Sequence, residues 1–489
     1  MHEVEQLRIA YFHPSPHGGV QGSHIPLDAF QNIPVGIIGA LNALRKPGVE
    51  LRGINIPVEL RVDPAFSVKK WIDEFDPHIA LIELHWYVHT HGALSLANTI
   101  RMSNPRTFIV MGGLTASAFS RDILERYPSV DMIIAGEAEN ALRTLTETFS
   151  LKSRRPNRIE NTWYRTEIGT VAEPRRLETM ESVEHLDHTS LSWLENQDEF
   201  ERSDFPYRNR WLLTGRGCGK SCFFCGGSRQ SMETLFHRTH VLTRPAERVA
   251  EDIIRLGRSG VQAVHLSHDI MTQGEAYWRI LFKRIRESGI HIGLGNESWG
   301  PVPDKSLIDE WVATFDVKYS YIALSPTSSW SGLRRFASRR YEDEHLLESV
   351  EQLARVKFPL HMFFLLNVPG ETAETLERTL DVAWSIIKSY PPELLRMEAQ
   401  TASIDPCSPA ALDVVPSIGF HRPDFDDYIS VSHGQYIPSL NWPERTGEID
   451  VGQPLNVPRA RPADLLKIGT KCPSLIKRWQ ELLIAKNTH

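Results

Sequence analysis

The 489-residue sequence predicts an α/β protein, with an amino-terminal doubly wound parallel five-stranded sheet, a partial (β/α)6 barrel and a small carboxy-terminal region. Three observations predict it. Residues 8–149 alternate short apolar runs with amphipathic stretches, as in a parallel sheet wrapped by helices. A charged, polar stretch follows, after which the alternation resumes at residue 208 and runs through six further strand candidates. Three cysteines then fall within eight residues, directly after the first strand of that second series.

The elements follow in order. The first five strands are RIAYFHP, VELRGINIP, IALIELHW, TFIVMGG and VDMIIAGE, separated by helical stretches such as FSVKKWIDEF and SRDILERY. Open sheets of this kind bind ligands in the loops at the strands' carboxyl ends. Residues 150–207 read as a linker with one hairpin, in NTWYRTEIGTVAEP. The second series comprises RWLLTGRGC, VQAVHLSHD, IHIGLGNE, VKYSYIALSP, LHMFFLLNVP and LLRMEAQTASIDP, with five helical stretches between them. Six such steps close most of a barrel, its mouth at the carboxyl ends of the strands. The expected boundaries are thus 1–149, 150–207, 208–406 and 407–489, the last region Pro-rich with a final helix near SLIKRWQELLIAK.

Composition narrows the class. The chain is 41% hydrophobic and 24% charged, and no run of about 18 apolar residues is present to cross a bilayer. The start, MHEVEQLRIAYFHP, lacks the basic and apolar regions of a secretory signal, so a cytoplasmic location is expected. A net charge of −7 without a basic block argues against nucleic acid as the main partner and for a small-molecule or carrier-bound substrate. Five cysteines, three of them clustered, are no disulfide framework.

The cluster reads TGRGCGKSCFFCGGS, with thiols at Cys218, Cys222 and Cys225. A short glycine-rich loop lets three sulfurs converge on one 4Fe-4S cube, which leaves one iron open for reaction. A structural zinc site completed by a distant Cys or His is the alternative. The spacing, Phe224 before the last cysteine and the glycines after it resemble the radical S-adenosylmethionine superfamily over residues 208–406. The resemblance implies that the open iron holds S-adenosylmethionine and that an electron donor such as flavodoxin or ferredoxin drives its cleavage to a 5′-deoxyadenosyl radical. It also implies that strand-end residues position S-adenosylmethionine: Phe224, Asp269, Glu297 and Ser325, with the PGET stretch at 369–372. Pro326 and Thr327 after Ser325 depart from the acidic continuation usual there. For Asp269 and Glu297 the competing reading is a helix cap or a charge paired within the barrel. Arg334 and Arg335 are candidates for a carboxylate or phosphate, or form a solvated basic face.

In the amino-terminal part, VMGGLTAS and VDMIIAGEAENAL resemble the cobalamin-binding domain that precedes many such barrels, which implies cobalamin near Gly112, Gly113, Gly136 and Glu137. Read structurally, the same glycines are tight strand-to-helix turns. The Asp-x-His-x-x-Gly motif of base-off cobalamin enzymes is replaced by SPHGGV, so no histidine is expected on the lower face of cobalt. His17, His85, His89 and His91 lie in loops on the ligand side, where a histidine is more often a surface or hydrogen-bonded residue. Together the two resemblances imply a cobalamin-dependent radical methyltransferase acting on an unactivated carbon or phosphorus. The alternatives are a dehydratase, cyclase or ring-rearranging enzyme with a vestigial cobalamin domain, or a non-catalytic sensor. Cys407, where SIDPCSP calls for glycine, is a candidate hydrogen donor or base, or a small packing residue.

Overall fold

The computed structural model describes residues 6–16, 31–153, 156, 158–329, 331–366, 373–401, 404–412 and 423–433. His17, the PGET stretch, Cys472 and the final helix expected near SLIKRWQELLIAK lie outside the described residues. The chain forms two compact units. The first comprises Met1–Arg208, Gln230–His240 and Pro423–Gln435, and the second includes Asn209–Arg229 and Val241–Arg422.

The first unit is a seven-stranded sheet, β1 (Leu7–His13), β2 (Val49–Asn55), β3 (Ile79–Glu83), β4 (Phe108–Gly112), β5 (Met132–Ile134), β6 (Thr162–Thr166) and β7 (Gly169–Ala172), ordered β2-β1-β3-β4-β5-β6-β7. The first five strands pair in parallel. Helices cover both faces, so β3 is buried at every residue and reads as an uninterrupted apolar run ending in Glu83. Helix Val68–Phe75 shows how the sequence makes those covers: the Ser67 hydroxyl accepts from the Lys70 amide, and Val68, Trp71, Ile72 and Phe75 form one buried stripe.

Two expectations change here. The hairpin placed in a linker is instead β6 and β7, and β6 pairs antiparallel with β5, which extends the five-stranded sheet to seven. The stretch 150–207 therefore belongs to the first unit. The physical reason is the open edge of β5, whose unpaired backbone groups a hairpin satisfies. Helix Phe425–Ser432, which sequence periodicity did not single out, also belongs to this unit; it carries an Asp424–Asp427 capping box and buries Phe425 in the core.

The second unit carries six parallel strands in consecutive order: β8 (Asn209–Leu212), β11 (Ala263–Leu266), β12 (Gly293–Ser298), β13 (Tyr321–Thr327), β14 (Leu360–Leu366) and β15 (Leu395–Thr401). The short β9 (Gly215–Arg216) and β10 (Leu242–Thr243) make a separate antiparallel pair. Helices Ala246–Arg258, Glu275–Ser288, Lys305–Thr314, Asp343–Arg355 and Ala373–Ser389 lie between successive strands, which is the expected partial (β/α)6 topology. Inside it the GLG of β12 is dictated by sterics. A Cβ on Gly295 would sit 2.0 Å from His265 Nδ1, and one on Gly293 2.2 Å from the Tyr319 carbonyl oxygen.

Candidate active site

The cysteine loop leaves the carboxyl end of β8 and is tied down from several directions within the second unit. The His268 imidazole, just beyond β11, donates from Nε2 to the Gly217 carbonyl at 2.8 Å. The Ser338 hydroxyl accepts from the Ser221 amide at 3.0 Å, and the Arg229 amide donates to the Lys220 carbonyl at 2.7 Å. Beyond β15, the Asp405 carboxylate accepts from the Gly226 amide at 3.0 Å, while the Asp405 and Ala410 amides donate to the Phe224 and Phe223 carbonyls. The loop thus holds its shape through backbone bonds, and Phe224 is half-buried at its centre.

The donor set fits an iron–sulfur cube. Burial pushes the thiols of Cys218, Cys222 and Cys225 up, Cys225 furthest with Asp405 beside it. Opposing that, the Lys220 amide donates to Cys218 Sγ, the Gly227 amide to Cys225 Sγ, and the cations of Lys220 and Arg339 favour the thiolates of Cys218 and Cys222. Three half-buried cysteines whose sulfurs act on one another electrostatically become stable thiolates when a cationic cluster takes their charge. None of the described cysteines is in a disulfide.

A cavity of about 1040 Å³ opens beside this loop, lined by Gly219, Lys220 and Ser221, by Gly300 and Pro301 after β12, and by the Ser338–Glu342 stretch. Lys220, Arg335, Arg339 and Arg340 line it against one carboxylate, Glu342. Arg339 is itself a brace, since its guanidinium donates to the carbonyls of Ser325 at 2.9 Å, Ala337 at 2.8 Å and Trp299.

The barrel residues expected to position S-adenosylmethionine divide. Glu297 reaches the end of β12, where burial raises its carboxyl while Arg339 and Trp299 lower it. Ser325 sits in β13 just before Thr327, whose φ of +70° accompanies a register shift against β14, so the departure at Pro326 and Thr327 is a bulge. Asp269 is used internally: only 1% exposed, it accepts from the amides of Met271 and Trp299 and from the Asn296 side chain. These bonds make it a cap and a strand-end brace. Arg334 is buried and pairs with Asp343, which makes it structural, whereas Arg335 is exposed. Cys407 has φ +57°, the left-handed region that the sequence pattern reserves for glycine.

In the first unit, Gly113 has φ +114° and a Cβ there would lie 2.6 Å from the His85 amide nitrogen, so this glycine lets the loops after β3 and β4 touch. Gly112 ends β4, where a Cβ would stand 3.5 Å from the Ile134 carbonyl oxygen, and Gly136, φ +108°, lies in the loop after β5. Backbone stripped of side chains at adjacent strand ends suits the close approach of a large cofactor. The Glu137 carboxylate accepts from the Arg238 guanidinium and from the Glu178 amide. Both members of that ion pair are buried, so Glu137 fastens the segment Gln230–His240 to this unit. His91 packs edge-on against His433, and His85 against Trp86. Sequence reasoning missed His268, Asp405, Ser338 and Arg339, which follow no local motif.

Strand-end loops, a three-thiol loop and a doubly wound amino-terminal sheet define a cobalamin-binding radical S-adenosylmethionine enzyme, and the chain belongs to that family. The Radical SAM superfamily model matches residues 212–383 and the B12 binding domain model residues 30–146. Its cofactors are accordingly a 4Fe-4S cluster, S-adenosylmethionine and cobalamin. The chain is 24% identical to the hopanoid C-3 methylase of Methylococcus capsulatus over 47% of its own length and 41% of that protein's. It is 22% identical to a tRNA-2-methylthio-N(6)-dimethylallyladenosine synthase of Cereibacter sphaeroides over 58% of each. The chain thus spans about half the length of these curated relatives. Among solved structures, the radical S-adenosylmethionine methyltransferase TsrM of Kitasatospora setae, bound to tryptophan and a S-adenosylmethionine analogue, shares the fold: TM-score 0.62 and 16% identity, covering 83% of this chain and 76% of that one. No helix among the described residues is long and apolar enough to cross a membrane.

Proposed function

We propose that the protein is a cobalamin-dependent radical S-adenosylmethionine methyltransferase acting on an unactivated carbon or phosphorus of a small biosynthetic intermediate. The observation that carries this is the presence in one chain of the braced three-thiol loop and the glycine-turned cobalamin-type sheet, in a fold shared with a radical S-adenosylmethionine methyltransferase solved with cobalamin and a [4Fe-4S] cluster bound. When bound, the two cofactors supply a carbon-centred radical and a transferable methyl group.

The chain's own residues do the rest. Cys218, Cys222 and Cys225 hold the cluster, with His268 and Asp405 fixing the loop that presents them. Glu297 and Ser325 stand at strand ends as S-adenosylmethionine contacts, with Phe224 in the loop itself. Gly112, Gly113 and Gly136 let backbone approach cobalamin. The cationic lining of the cavity suits an anionic group, the carboxylate of S-adenosylmethionine or of the substrate. A flavodoxin or ferredoxin supplies the electron to the cluster, in the cytoplasm.

The test is anaerobic turnover of candidate substrates with methyl-labelled S-adenosylmethionine, followed by mass spectrometry. Label in the product, with two molecules of S-adenosylmethionine consumed per methyl transferred, is expected. Conversion without label by protein free of cobalamin overturns methyl transfer and selects a dehydratase or cyclase. RNA among the candidates tests whether the likeness to the tRNA-modifying relative extends to substrate.

A further inference from the structure

The sheet order β2-β1-β3-β4-β5 of the first unit reverses direction between β1 and β3, and in open α/β sheets the crevice beyond such a reversal is where ligands bind. The parallel register pairs Phe12 with Ile82, so the next residues, His13 and Glu83, lie side by side at the two carboxyl ends. The turn Tyr87–His89 then brings a second imidazole to the same place.

The result is a compact trio. His13 Nδ1 lies 2.6 Å from Glu83 Oε2, and the rings of His13 and His89 meet edge to face at 4.9 Å between centroids. One ligand atom from each of His13, Glu83 and His89 lies within 4.8 Å of the others. His13 and His89 are fully buried and Glu83 is 6% exposed. The other carboxylate oxygen, Oε1, is held by the His85 amide at 2.8 Å, which fixes the carboxylate with Oε2 turned to the imidazoles.

We propose that His13, Glu83 and His89 form a binding site for one divalent first-row transition metal ion, such as zinc or iron(II). Two imidazoles and one carboxylate are the donor set that such ions take in facial three-residue sites with open positions. Ligand bonds of about 2.0–2.2 Å set neighbouring donors roughly 3–3.5 Å apart, so an ion would open the 2.6 Å His13–Glu83 contact slightly and draw in the wider separations, all of them within 4.8 Å. The His85 amide supplies the outer hydrogen bond that orients a ligating carboxylate.

Burial supports the assignment: Glu83 is only 6% exposed with both imidazoles against it, and a divalent ion held by all three supplies the counter-charge that a buried carboxylate requires.

The test uses the full-length chain with Cys218, Cys222 and Cys225 replaced by Ala, made without cobalamin so that neither thiolates nor corrin compete. Zinc titrated against a chromophoric chelator should bind at one equivalent. Affinity should fall by more than about tenfold in Glu83→Gln and His89→Gln, and stay unchanged in His91→Gln. Zinc should raise the thermal midpoint of the parent and not of those two variants. Should the variants fail to fold, X-ray absorption of the parent's zinc decides: two imidazoles and an oxygen donor are expected. Absence of stoichiometric binding by the parent, binding that survives His89→Gln, or a zinc shell without imidazole overturns the site.

Discussion

The two units present their chemistry at the same place, the carboxyl ends of parallel strands, yet build it in opposite ways. In the second unit the proposed cluster ligands come from one short loop, and distant residues only brace it. In the first, His13, Glu83 and His89 come from two strands and a turn, and meet because β1 and β3 are neighbours in the sheet. A contiguous motif loses its ligands one at a time while the barrel around it stands. A site assembled from strand ends depends on the sheet staying closed.

The largest effect expected from this contrast is on chemistry without a matching loss of fold. Cys222→Ala should abolish cleavage of S-adenosylmethionine and sharply lower bound iron and sulfide, with the thermal transition of the cluster-free protein kept, as iron analysis and calorimetry would show. Full iron content in that variant would break the comparison at its firmest point.

The next effect falls on the first unit. Glu137→Ala leaves the Arg238 guanidinium buried without its carboxylate, a loss of about 3–5 kcal/mol in denaturant unfolding. A loss under about 1 kcal/mol would show that the segment Gln230–His240 is not fastened there.

A smaller effect sharpens the same unit by pH. Glu59 is 3% exposed, and burial raises its carboxyl to about 7 despite the Asn196 hydrogen bond, with Glu195 adding repulsion. Because the folded value lies above the unfolded one, protonated Glu59 stabilises the fold, fully below about pH 4.5 and progressively less as pH rises to about 7. The decline amounts to about 3 kcal/mol at most, and Glu59→Gln should flatten this part of the pH–stability curve.

The smallest effect belongs to the turn after β15. Cys407 holds a left-handed backbone at a cost of about 1 kcal/mol for a residue with a Cβ, so Cys407→Gly should leave stability unchanged or slightly raised. Retention of both S-adenosylmethionine cleavage and product formation in Cys407→Gly and Cys407→Ala favours the packing role, whereas loss of product with cleavage kept in both selects the thiol as a hydrogen donor.

The alternation of apolar runs was legible as two strand series because strands buried on both faces must be apolar throughout, and each of the eleven expected strands has a counterpart at its position. The three thiols were legible for a different reason: a loop that wraps one cube needs its donors close in sequence. What remained hidden was whatever depends on which elements become neighbours. The β6–β7 hairpin reads as a linker until the open edge of β5 is known, and the buried partner of Glu137, Arg238, comes from beyond the cysteine loop. Nothing in SHD tells that the Asp269 carboxylate accepts from Trp299 and Asn296, which only the packing of β12 beside β11 brings to it. By itself, then, the sequence determined the strand and helix periods and the local cysteine loop, since both follow from spacing along the chain. Tertiary structure alone decided the partners of His13, Glu83, Glu137 and Asp269, because a buried charge is defined by the groups that compensate it, and those come from remote parts of the chain.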